Sequence, residues 1–162
     1  MEVFHNLASI LSKKPHAVAR LFGSEEYMKI RGEVYFYSTK QGVIVACAVK
    51  GLPEQEQVCK TDIFAFHIHD GEFCIGNKED PFARALSHYN PQNCQHPYHA
   101  GDMPPLFSAA GIALSVFLTD RFSIKEIYGK TVIIHSMPDD FHTQPGGNSG
   151  KKIACGEIVK MV

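Results

Sequence analysis

Residues 64–74 read FAFHIHDGEFC, and the fold turns on how this stretch is read. In an extended strand, residues two apart share a face, so His67 and His69 leave the chain side by side. Phe64, Phe66 and Ile68 take the opposite face, as a strand lying over a core requires. A His-x-His pair taken alone is weak evidence for a metal, because satisfied histidines are common. The segments around it have to supply the rest.

On either side the chain keeps the same texture. AVARLF, IRGEVYFYST, GVIVACAVKGL, IFAFHIH, GIALSVFLT, GKTVIIHS and a last segment around KIACGEIV are short apolar runs bounded by Gly, Pro, Asn or Asp. Seven or eight such strands predict an all-β antiparallel sandwich or barrel. Before them, Val3, Phe4, Leu7, Ile10 and Leu11 fall at helical spacing. They predict a short amphipathic helix ending near Lys13 and Lys14, ahead of Pro15. The chain thus divides into an N-terminal helical extension, residues 1–15, and a β domain, residues 16–162. Two irregular stretches interrupt the strands, one from Asp70 to Gly111 and one after His135, and each follows a histidine-bearing strand. An aperiodic stretch as long as the first is functional or held down by something.

The 162 residues fit one domain with a substantial core. Sixteen basic against seventeen acidic residues give no support for a nucleic-acid or membrane-surface partner. No apolar run approaches the length of about 20 residues needed to span a bilayer. The first 20 residues lack the features of an export leader, so with Met1 as the native start the expectation is a soluble, cytoplasmic protein. A chain that had lost its leader would read the same way, and would be periplasmic or extracellular. Five cysteines, Cys47, Cys59, Cys74, Cys94 and Cys155, leave at least one unpaired within the chain. Cys47, inside GVIVACAV, reads as a small buried hydrophobe. No Cys-x-x-Cys pair is present to indicate a thiolate zinc site.

Six of the nine histidines fall within this organisation: His67, His69, His88, His96, His99 and His135. His88, His96, His99 and Asp102 crowd into fifteen residues of the long loop. Three imidazoles and a carboxylate make a complete tetrahedral set for zinc. His67, His69 and His135 remain on strands, and imidazole nitrogens also suit copper. Because an imidazole has two ring nitrogens, one histidine can touch both metals.

These segments resemble the copper/zinc superoxide dismutases. AFHIH (65–69), HYNP (88–91), HAGD (99–102), GKTVIIH (129–135) and GKKIACG (150–156) match that family's motifs in the family's order, over roughly residues 17–158. The resemblance implies an immunoglobulin-like Greek-key β-sandwich or barrel of about eight strands. It implies copper on His67, His69, His88 and His135, and zinc on His88, His96, His99 and Asp102, with His88 as the bridge. Asp139 matches an aspartate that links copper and zinc ligands, and Cys74 and Cys155 match an intrachain disulfide. Cys59 and Cys94 remain open between a second bridge and two unrelated thiols. Homodimers are the usual state in that family, and monomers are known.

The implied activity is conversion of superoxide to oxygen and hydrogen peroxide by copper cycling between Cu(II) and Cu(I), with His88 carrying a proton. The family places an arginine beside copper where this chain has Lys152. Lysine keeps the charge without the planar multi-donor fork, which predicts slower turnover. The loop after His135 is short, with Asp139 and Asp140 at its start and Lys151 and Lys152 near its end. The zinc loop is also compressed. Two alternatives stay open: a copper/zinc-binding protein without useful turnover, and a structural zinc-only sandwich. His5, His16 and His142 are left unassigned.

Overall fold

Arg31–Thr39 and Gly42–Lys50 form strands β2 and β3, a hairpin whose register runs unbroken from Arg31 opposite Lys50 to Thr39 opposite Gly42. The computed structural model describes residues 7–54 and 62–162. Around the hairpin stand β1 (Ala17–Gly23), β4 (Ile63–Phe64), β5 (Phe66–His69), β6 (Leu106–Ala109), β7 (Ile112–Thr119), β8 (Thr131–His135) and β9 (Lys152–Lys160). All strand pairs are antiparallel, in the order β4-β6-β7-β3-β2-β1-β9-β8-β5. The sheet curls into a nearly closed barrel around Phe36, Phe66, Ile68, Leu106, Ile134, Ile153 and Ile158, each at most 1% exposed. Phe66 and Ile68 thus occupy the core side expected of them.

Two expectations are corrected. IFAFHIH is not one strand: Ile63 and Phe64 pair with β6, and Phe66–His69 pair with β8. Ala65 is the joint, its N–H donating to the Met137 carbonyl and its own carbonyl accepting from His135 N–H, each at 2.9 Å. One apolar run therefore serves two neighbours. The irregular stretch expected to reach Gly111 ends earlier, at β6, a four-residue strand hidden behind Pro104 and Pro105. The expected helix is present as α1, Leu7–Leu11, with the Lys13 N–H still donating to the Ile10 carbonyl at 3.1 Å; Val3, Phe4 and His5 lie outside the described residues. Its C-terminal Leu11 carbonyl accepts from the Tyr37 hydroxyl at 3.4 Å, which leans the extension on β2.

A second short helix, α2 (Ile124–Ile127), connects β7 to β8 and buries Ile124 and Ile127. Ser123 and Glu126 close it with reciprocal side-chain bonds, a capping box spelled by SIKE in the sequence.

The long loop is fastened to the rest at several points. β5 ends the strand order, and its free edge is taken by the loop itself: Ile68 N–H donates to the Gly101 carbonyl at 2.9 Å, and Tyr89 N–H to the Ile68 carbonyl at 2.8 Å. A disulfide joins Cys74 to Cys155 of β9, packed with Phe82, Ala85 and Ile133. It spans 81 residues, and closing a loop of that size restrains the unfolded chain by about 4 kcal/mol in the entropic description. The Cys74→Ser/Cys155→Ser protein should therefore unfold about 10 °C lower than the oxidised protein in a thermal scan. A change under about 3 °C would mean that strain in the folded bridge offsets this restraint. Cys47 is buried and Cys94 is an exposed free thiol; Cys59, its possible bridge partner, lies outside the described residues.

Candidate metal centre

Backbone pairing at the free edge of β5 assembles the centre. His67 sits opposite Asp102 and His69 opposite His88 as isolated antiparallel bridges, so the loop stitched along β5 delivers His88 and Asp102 beside the strand histidines. His135 arrives from β8, two residues past Ile133, which is the register partner of His67. Two groups result: His67, His69, His88 and His135, and His88, His96, His99 and Asp102. Within each group the ligand atoms lie within 4.8 Å of one another, and every member is buried. His88 belongs to both.

Asp102 is the focus of the second group. His88 Nδ1 stands 2.7 Å from Asp102 Oδ1, and Nδ1 of His96 and of His99 stand 3.1 Å and 3.3 Å from Oδ2. The His96 atom makes its approach without hydrogen-bond alignment. Three Nδ1 atoms thus converge on one carboxylate, a donor set suited to zinc. Burial opposes ionisation of Asp102, but the hydrogen bond and positive ends of His88, His96 and His99 outweigh it and hold the carboxyl below its ordinary value.

Asp139 ties the groups together. Its Oδ2 accepts from His67 Nε2 and its Oδ1 from His96 Nε2, both at 2.8 Å, and Oδ1 also accepts from Phe141 N–H at 2.7 Å. Burial disfavours its charge, yet the bonds from His67, Phe141 and His96 hold the carboxyl well below the usual carboxylate range. An ionised Asp139 can only accept, so it fixes the proton on Nε2 of both rings and leaves both Nδ1 atoms as bare lone pairs. Gly147 backs onto this carboxylate at φ +67°, and a Cβ there would fall 2.0 Å from Asp139 Oδ1. Only glycine lets the second loop close over the bridge.

The first group turns unprotonated ring nitrogens toward one another. His69 Nδ1–H donates to the Leu86 carbonyl at 2.8 Å and His135 Nδ1–H to the Gly150 carbonyl at 3.3 Å. Carbonyls only accept, so both Nε2 atoms are unprotonated in the neutral rings, and they face each other at 3.1 Å. His67 Nδ1 is buried with no hydrogen-bond partner. Burial first, then the neighbouring imidazoles, push His135 down to about 3 and His69 well below its ordinary value. Burial likewise brings His67 down to about 4 against the opposing bond to Asp139. Bare, neutral, converging imidazole nitrogens suit a transition metal such as copper or zinc.

Leu86 holds the His69 ring at a cost. Its backbone sits at φ 61°, ψ −146°, a region natural to glycine, with the side chain 58% exposed.

Lys152 opens β9 across from His135. Its Nζ donates to Asp80 Oδ2 at 2.6 Å and to the Phe82 carbonyl at 3.2 Å, so its charge is paired with an acid of the disulfide loop. Asp80 did not stand out in the sequence, being separated from Lys152 by 72 residues. Arg121 was missed for a similar reason. Its Nη1 lies 3.0, 3.3 and 3.2 Å from the carbonyls of Pro97, His99 and Asp102, which clamps the loop carrying the second group from beyond β7. His142 is exposed and bonds Asp140 and Thr143, apart from both groups, and His16 Nδ1 accepts from Ser38 N–H. Among the described residues, no helix is long and apolar enough to cross a membrane.

Comparison with known proteins agrees with this geometry. The family model described as copper/zinc superoxide dismutase matches residues 30–158. Superoxide dismutase 2 (Cu-Zn) of Aquifex aeolicus is 32% identical, over 94% of this chain and 91% of its own length. The copper/zinc superoxide dismutase from Brucella abortus superposes with TM-score 0.72 at 22% identity, covering 87% of this chain and 98% of that one, a likeness of fold. A double mutant of a SOD-like protein from Bacillus subtilis superposes with TM-score 0.70 at 27% identity, covering 90% and 97%. With the matched region spanning most of the barrel and every member of the two buried groups, the chain belongs to the copper/zinc superoxide dismutase family.

Proposed function

We propose that this protein dismutates superoxide, with copper held by His67, His69, His88 and His135 and zinc by His88, His96, His99 and Asp102. The observation that carries the reading is the pair of buried ligand groups sharing His88 and bridged by Asp139. A site built for one structural zinc needs neither the second group nor the bridge.

Bound copper would supply the one-electron couple by which one superoxide is oxidised to oxygen and the next is reduced. The reaction consumes two superoxides and two protons and yields oxygen and hydrogen peroxide. The chain's own residues set its conditions. Asp139 keeps the His67 and His96 rings in one tautomer, and the Leu86 and Gly150 carbonyls do the same for His69 and His135. His88 commits Nδ1 to the Asp102 side, so Nε2 is the atom at which it takes and returns a proton. Lys152, opposite His135, brings an ammonium to this face that Asp80 pairs at 2.6 Å. The disulfide is suited to an oxidising compartment, or in the cytosol must resist reduction.

A second reading, metal binding without useful turnover, is favoured by the pairing of the Lys152 charge with Asp80. The two separate in one experiment. Protein reconstituted with both metals should hold one copper and one zinc per chain by elemental analysis and consume superoxide in a stopped-flow assay. Full metal content with no consumption above free buffer would favour the second reading.

A further inference from the structure

The contact between Lys152 and Asp80 has the features of a built pair. The lysine side chain is 15% exposed and the aspartate 40%. Asp80 does not wander: its N–H donates to Asn77 Oδ1 at 2.9 Å, its carbonyl accepts from Asn77 and Ala83 N–H at 3.0 and 3.1 Å, and its Oδ1 accepts from Phe82 N–H at 3.1 Å. The turn that carries it is tied by Cys74 to Cys155, three residues along β9 from Lys152. Gly76 packs so closely beneath this turn that a Cβ would fall 2.0 Å from the Asp80 carbonyl. Both partners are therefore held from both sides.

A carboxylate 2.6 Å from an ammonium leaves a short dipole where a lone cation would have stood. The potential of a dipole falls off faster with distance than that of a charge, and partial burial weakens solvent screening of what remains. At the copper-side ligands the attraction for an approaching anion is then smaller than Lys152 alone would give. Oxygen Oδ1 of Asp80 is already committed to the Phe82 amide, so Oδ2 is the atom free for this task.

We propose that Asp80 is a positioning residue that fixes Lys152 on the rim of the copper-side group and limits the attraction of that face for anions. The inference rests on the copper assignment made above, and it assigns the disulfide loop an electrostatic task beyond its structural one.

The test uses copper- and zinc-loaded protein and azide, a small linear anion, followed by its charge-transfer absorption on binding copper. Asp80→Asn keeps the size of the side chain and the Phe82 bond while removing the charge. Azide should bind about fivefold more tightly to it at low ionic strength, with the gain shrinking toward none at 1 M salt. Asp80→Ser serves as a second variant with the same expectation. Lys152→Met should weaken azide binding, and Asp80→Asn/Lys152→Met should return close to the wild-type affinity, because the local net charge is restored. Unchanged or weaker azide binding in both Asp80 variants, with copper content intact, would overturn the role of Asp80 and leave the copper assignment standing. Wild-type protein that takes up no copper would overturn both.

Discussion

A His135→Ala protein is expected to keep its zinc and to lose superoxide consumption by a hundredfold or more. His135 belongs only to the copper-side group, and its Nε2 faces that of His69 at 3.1 Å with both lone pairs bare. Removing it leaves His67, His69 and His88, and opens one side of the site to water. Outer partners of metal ligands alone are worth about 10- to 100-fold in affinity or activity, so loss of a ligand sets a larger floor. The zinc-side group contains no atom of His135, and Arg121 continues to hold its loop. Elemental analysis should show zinc near one per chain and copper reduced. Copper and activity both at the wild-type level would remove His135 from the site.

Replacing Asp139 by alanine should act on both metals at once. Its two oxygens hold His67 and His96 from opposite sides, and no described hydrogen bond offers either Nε2 a replacement. Without the carboxylate both rings are free to take the tautomer that places a proton on Nδ1, the nitrogen each metal needs. Zinc affinity should fall by about 10- to 100-fold, read by competition with a chromophoric chelator, and the copper electron spin resonance spectrum should broaden. Asp139→Asn should fall in the same direction, since its amide oxygen can serve only one ring while its NH2 meets the other N–H. A zinc affinity within about twofold of wild type would show that His96 is oriented by other means.

The members of the two buried groups were legible in the sequence because strand periodicity or crowding in one loop marks them. His67 and His69 needed only the two-residue period of a strand, and His88, His96, His99 and Asp102 needed only their crowding in one loop. The strands were legible as apolar runs. What escaped was set by contacts between distant segments. Nothing local marks Ala65 as the joint where pairing passes from β6 to β8. The four residues of β6 carry too little pattern to stand out beside two prolines. Helix α2 did carry a signal, the Ser-x-x-Glu of its capping box, but four residues show no helical period. Arg121 and Asp80 act on the site through carbonyls and an ammonium contributed by other parts of the chain, and neither lies in a motif. Lys152 read as a free cation because its counter-ion is reached only through the folded disulfide loop.

The loop that covers β5 also protects the protein from itself. β5 is the last strand of the sheet, and its outer hydrogen-bonding groups are satisfied by Gly101 and Tyr89 of that loop. If reduction of the disulfide and departure of zinc together released the loop, Ile68 would present an unpaired N–H and C=O on an edge flanked by Phe66. An apolar edge of that kind is a template for a strand from another molecule. The loop that carries the second group to β5 would thereby also keep the barrel from growing into aggregates.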